Sequence, residues 1–242
     1  MAPVLEHSHS EQGIRERLAK GPRTNYLRDW IYGGIDGTVT TFAIVAGVVG
    51  AQLSTSVLLL LGFANLLADG FAMAAGNYMG TKAEQEDYER VLSIERRHIA
   101  LVPEGEREEI RQIFQAKGFA GGDLERAVAV ITADPTLWAE TMAAEEYGLS
   151  QTPRSPVLAA MSTFAAFLIC GCVPLVTYLL PGGLPLCVVA TGATFFVVGT
   201  IKSLWSPASW LRSGADVLFV GMSAAALAFA VGFGLRAYFG IS

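Results

Sequence analysis

The 242-residue chain is 52% hydrophobic and only 16% charged, against about 25% charged in an average soluble domain. With a mean hydropathy of +0.43, this excludes an ordinary water-soluble globule. The net charge of −5, with no basic stripe or aromatic platform, excludes a nucleic-acid partner.

Residues 1–26 are polar and read as a tail carrying a short amphipathic piece around Ile14 and Leu18, with no cleavable signal peptide. Five apolar segments follow, each near the ~20 residues that an α-helix needs to cross a bilayer. They are predicted at 28–51, 57–80, 157–180, 184–204 and 215–239. Helices are expected because an open strand cannot satisfy its backbone in lipid. The ten-residue alternation of a membrane β-barrel is absent. Cys170, Cys172 and Cys187 all lie in apolar stretches and read as packing residues.

Between the second and third spans lies a polar insert. Residues 81–150 carry 8 Lys/Arg against 15 Asp/Glu, whereas the rest of the chain carries 9 against 7. From Thr81 to Leu101 the pattern continues the second span as a helix, which Pro103 ends. A second helix is expected up to Gly118, and a third from the Gly121-Gly122 pair to Gly148; Pro153 and Pro156 precede span three. The expected fold is an all-α polytopic membrane protein with five transmembrane helices and a three-helix cytosolic insert. Its divisions are a tail at 1–26, spans one and two at 27–80, the insert at 81–156 and spans three to five at 157–242.

The distribution of basic residues predicts orientation. Arg15, Arg17, Lys20, Arg23 and Arg28 precede the first span, and Lys202 and Arg212 fall in the 202–214 loop; 51–56 and 181–183 carry no charge. By the positive-inside rule the N-terminus, the insert and the 202–214 loop face the cytosol.

Two carboxylates stand out within the spans. Asp36 is roughly 12 Å deep by helix rise and Asp69 roughly 16 Å from the same side. A carboxylate at that depth costs several kcal/mol unless paired or hydrated, and no Lys or Arg lies at matching depth. A bound cation or a proton is the natural partner. Asn65, Asp69, Met73 and Asn77 recur every four residues and form one stripe, which suits a partly dehydrated transition metal. The competing readings are packing for Met73 and interhelical hydrogen bonding for Asn65 and Asn77. Gly76 and Gly80 read as a small-residue face for close helix packing, and Asp216 as an N-cap or dipole partner at the start of span five.

In the insert, Glu95 and His98 have the Glu-x-x-His spacing used in di-iron bundles, and Glu106 and Glu109 repeat the i, i+3 spacing. Glu140, Met142, Glu145 and Glu146 fall near its end. Carboxylate oxygens with an occasional imidazole suit Fe²⁺ or Mn²⁺. The alternative is a solvated helix surface, with Glu95 and Glu106 paired to nearby arginines.

The run IDGTVTTFAIVAGVVGA at 35–51, GFANLLADGFAMAAGNYMGTKAE at 62–84, PEGE at 103–106 and MAAEEYGL at 142–149 resemble the vacuolar iron transporter family. The resemblance covers residues 27–242. It implies a homodimer in a lipid bilayer, with five spans per subunit and a pore at the dimer interface. It implies proton-coupled export of Fe²⁺ from the cytosol, with other divalent metals such as Mn²⁺ as further cargo and no prosthetic group. The membrane would be the inner membrane of a bacterium or a eukaryotic vacuolar membrane. The implied pore residues are Asp36 and Met73, and the implied insert ligands Glu95, Glu106, Glu109, Met142 and Glu146. This chain has His98 where the family's insert commonly has another glutamate, Ala143 where it can have a second methionine, and Asn77 where many members carry an acid. Two other functions compete with transport: a membrane-tethered iron oxidase, for which a second Glu-x-x-His is missing, and a metal-sensing scaffold, which leaves the mid-bilayer acids unexplained.

Overall fold

The computed structural model describes residues 8–21, 24–150 and 154–239. Arg23, Pro153 and residues 1–7 of the expected tail lie outside the described residues. The described chain is all-helical, in the order α1 (Glu11–Lys20), α2 (Leu27–Gly50), α3 (Thr55–Leu101), α4 (Pro103–Ala116), α5 (Gly121–Thr132), α6 (Pro135–Glu145), α7 (Pro156–Leu179), α8 (Gly183–Lys202) and α9 (Trp210–Phe239). Five of these (α2, α3, α7, α8 and α9) are long and apolar enough to cross a membrane, so the chain is a multi-pass membrane protein. It divides into two compact units, residues 1–78 with 154–242, and residues 79–153.

The first unit is organised around α2, whose apolar window is 56% buried, against 17–33% for the other spanning helices. Glycines explain this position. A Cβ on Gly33 would lie 2.3 Å from the Thr163 carbonyl oxygen, and one on Gly37 would lie 2.4 Å from that of Phe167. The α2 and α7 backbones therefore touch, as small residues allow in lipid, where close van der Waals packing drives association. At the other end of α2, the carbonyl of Gly47 meets Gly232 of α9. The shared core includes Phe42, Val45, Leu58, Leu66, Phe167 and Phe195.

Two expectations for this unit are corrected. Gly76 and Gly80 on α3 have no neighbour within Cβ reach, so the small-residue packing face within the chain lies on α2. The fifth span begins at Trp210 rather than 215. Ser209 sits at its start, its side-chain oxygen accepting from the Arg212 N–H at 3.4 Å, which puts Arg212 on the helix and Asp216 well beyond the N-cap. Hydropathy alone missed the first turn because it holds Arg212 and Ser213, which hydropathy scores as loop.

The second unit contains the end of α3 with α4, α5 and α6. The single helix expected from Gly122 to Gly148 is two helices. Asp134 breaks it: its carboxylate accepts from the Thr136 N–H at 2.8 Å, and Pro135 takes the first helical position. Asp–Pro is a strong helix-start signal, because proline lacks the N–H an interior position needs. Ile110, Leu124, Val128, Ile131, Trp138 and Met142 form one apolar cluster here, and Tyr88, Val91, Leu92, Ala139 and Ala143 a second.

Candidate metal centre

In the first unit, Asp36 on α2 and Asp69 on α3 are both half-buried and close enough for their charges to repel. Neither takes part in an ion pair among the described residues. Asn65 donates its amide to Asp69 Oδ2 at 2.6 Å, one helical turn away on the same stripe. Met73 is half-buried and packs against the apolar core.

Asn77, the last member of that stripe, belongs to a different arrangement. Its amide nitrogen lies 2.9 Å from Asp29 Oδ1, 3.2 Å from the Ala159 carbonyl and 2.7 Å from Thr163 Oγ1. Arg154 donates to both oxygens of Asp29 at 2.7 Å. Asp29, only 4% exposed, therefore joins the starts of α2 and α7 to α3. These bonds make Asn77 an interhelical connector. The sequence reading missed Asp29 and Arg154 because each stands at the polar end of a span, where charges are ordinary. What the sequence does offer is an acid and a base at the same membrane end of two spans, a pattern shared by many unpaired residues.

In the second unit, the helix spacing projects Glu95 and His98 from one face of α3, and Glu106 lies in the first turn of α4. Their ligand atoms all fall within 4.8 Å of one another. His98 Nδ1 is 3.5 Å from Glu106 Oε1. Glu95 is 1% exposed, and among the described residues neither of its carboxylate oxygens, nor Glu106 Oε2, has a well-formed hydrogen bond, while the Tyr147 hydroxyl and the Glu106 carboxyl lie against Glu95. A carboxylate stripped of water without a donor or cation carries a penalty of several kcal/mol. Burial, then repulsion from Glu109 and Glu95, pushes the Glu106 carboxyl up to about 7. Glu146, at the end of α6, is also raised, by desolvation and by Glu95 and Glu109. Four acids from three helices thus share one field. Met142, one turn before Glu146, is fully buried and packs in the apolar cluster with Ile110 and Trp138.

The other acids of this unit behave differently. Glu108 and Glu125 share Arg111, Asp87 holds Arg90 and Glu145 holds Lys117. The arginine pairing considered for Glu95 and Glu106 is absent among the described residues, where surface acids take the cations instead. The arrangement can bind a divalent cation, since two carboxylates would balance its charge and an imidazole would add a neutral donor.

Comparison with known proteins agrees. The chain is 31% identical over 208 residues to Vacuolar iron transporter 1 of Arabidopsis thaliana, covering 84% of this chain and 83% of the relative. It is 30% identical to Vacuolar iron transporter 1 of Tulipa gesneriana, covering 86% of each. Identity to the Vacuolar iron transporter of Toxoplasma gondii is 35% over 159 residues, 64% of this chain and 53% of that relative, so the chain spans about half its length. These relatives are named as transporters, which sets the chain apart from enzymes. A sequence model of the VIT family matches residues 27–233, and on that match the chain belongs to the VIT family.

Proposed function

We propose that this protein moves Fe²⁺ out of the cytosol across its membrane in exchange for protons, with Mn²⁺ and other divalent transition metals as further cargo. The observation that carries the reading is the pair Asp36 and Asp69, two half-buried acids within consecutive membrane helices that have no ion-pair partner among the described residues. Such a pair needs a mobile positive charge. A metal ion and protons can serve in turn, because a carboxylate must lose its proton to bind metal. Asp69 and Met73, one turn apart on α3, offer the ion an oxygen and a thioether.

The 79–153 unit would collect metal from the cytosol through Glu95, His98 and Glu106, with Glu109 and Glu146 adding negative field. Met142, one turn before Glu146, would add a thioether donor from the buried side of the site. The excess of Arg and Lys before α2 and around Lys202 and Arg212 supports a cytosolic N-terminus and insert. A second copy of the chain would cover the α3 face that carries Leu67, Phe71 and Met79, all exposed in one subunit. Homodimerisation there supports a pore between subunits.

The test is metal flux into proteoliposomes, followed with a metal-sensitive dye and an internal pH dye. Fe²⁺ entry with opposed proton movement is expected. Metal entry without any pH change would remove the exchange, and no entry for any divalent ion would remove transport. Oxygen consumption on adding Fe²⁺ would instead favour the oxidase.

A further inference from the structure

We infer that His98 sets the metal preference of the Glu95–His98–Glu106 cluster, favouring Fe²⁺, Co²⁺ and Zn²⁺ over Mn²⁺. The inference rests on the capture role proposed above for this site.

Donors sit about 2.0–2.2 Å from a small divalent ion, so two neighbouring donors on one ion are roughly 3.0–3.5 Å apart. The His98 Nδ1 to Glu106 Oε1 distance is 3.5 Å, already close to that bite. Glu95 supplies the third donor within 4.8 Å, so a small inward movement closes the set. Because α3 is one continuous helix from Thr55 to Leu101, the Glu95–His98 spacing is fixed by helix geometry. Glu106 follows at the start of α4, where Pro103 holds the first helical position.

Glu95 is 1% exposed and, among the described residues, no basic partner and no well-formed hydrogen bond meets either oxygen, so a cation would compensate its burial.

Two carboxylates supply charge, and their attraction differs little among divalent ions of similar radius. Imidazole supplies a softer nitrogen. Nitrogen donors follow the order Mn²⁺ < Fe²⁺ < Co²⁺ and bind Zn²⁺ well, whereas carboxylate and water suit Mg²⁺ and Mn²⁺. The one nitrogen in the cluster is therefore the group that discriminates, and Glu95 and Glu106 are the groups that hold.

Competition between Co²⁺ and Mn²⁺ for the full-length protein in detergent tests this, by equilibrium dialysis of the wild type, His98→Glu, His98→Gln and Glu95→Gln. The binding removed by Glu95→Gln defines the site. Within that component, His98→Glu is expected to lower the Co²⁺-to-Mn²⁺ affinity ratio on the order of tenfold while Mn²⁺ still binds. His98→Gln is expected to weaken Co²⁺ more than Mn²⁺. Co²⁺-loaded wild type should show a paramagnetically shifted, exchangeable imidazole proton that both His98 variants lose. An unchanged affinity ratio in His98→Glu, or a shifted imidazole signal that survives in His98→Gln, would overturn the role of His98 and leave the capture site standing. If Glu95→Gln removes no binding, the capture site itself fails, and the role of His98 fails with it.

Discussion

Two acids in this molecule are almost equally buried and are treated in opposite ways. Asp29 in the membrane unit is 4% exposed and has Arg154 on both oxygens, with Asn77 donating as well. Glu95 in the 79–153 unit is 1% exposed and has neither an ion-pair partner nor a well-formed donor on its oxygens among the described residues. Burial alone therefore does not mark a functional carboxylate. Asp29 is neutralised by a permanent partner and joins three helices. Glu95 has no such permanent partner among the described residues, which is what the proposed capture role requires. Asp36 and Asp69 resemble Glu95 in this respect, since neither has an ion-pair partner among the described residues.

Removing an unpartnered acid on one side and the cation of a paired acid on the other separates the two classes most strongly. Asp36→Ala should lower metal flux in proteoliposomes by on the order of a hundredfold while the protein still purifies folded, because no fixed partner is orphaned. Flux near the wild-type level would end the pore role of Asp36. Arg154→Ala should do the reverse and attack folding. It leaves Asp29 buried without its cation, a loss of about 3–5 kcal/mol, read as a large drop in thermal midpoint in detergent. Asp29→Leu combined with Arg154→Met should recover most of that loss, and a double variant as unstable as the single one would show that the pair does more than neutralise itself.

A third measurement sharpens the Glu95 side through pH. Glu106 holds its proton more tightly in the folded chain than in the unfolded chain. Its contribution to stability is therefore complete below about 4.5, falls as pH rises and is gone above about 7. Metal-free protein should lose stability across that window, and Glu106→Gln should flatten the loss. Metal affinity should move the other way, rising as Glu106 deprotonates through about 7. Affinity independent of pH between about 6 and 8 would exclude Glu106 as a ligand.

The smallest effect is expected at the surface. Arg111 is shared by Glu108 and Glu125, outside the cluster. Arg111→Ala should change metal affinity by less than about twofold, since exposed pairs contribute little. A larger change would mean that the field of the cluster reaches the surface charges.

The family resemblance and the five spans were legible from the chain itself, because a bilayer demands about 20 apolar residues whatever they pack against. The Glu-x-x-His spacing was legible too, since helical periodicity alone puts Glu95 and His98 on one face. The end of the insert was misread only in that Asp134 and Pro135 start a new helix where a continuous one was expected. Four features needed the tertiary structure. It brought Glu106 to His98, chose α2 over α3 as the glycine-packed helix, enclosed Met142 in an apolar cluster and joined Asp29 to Arg154 across 125 residues. The division has a physical cause. Span length and helical face follow from local periodicity, whereas whether a buried charge has a partner depends on residues distant in sequence that only folding brings together.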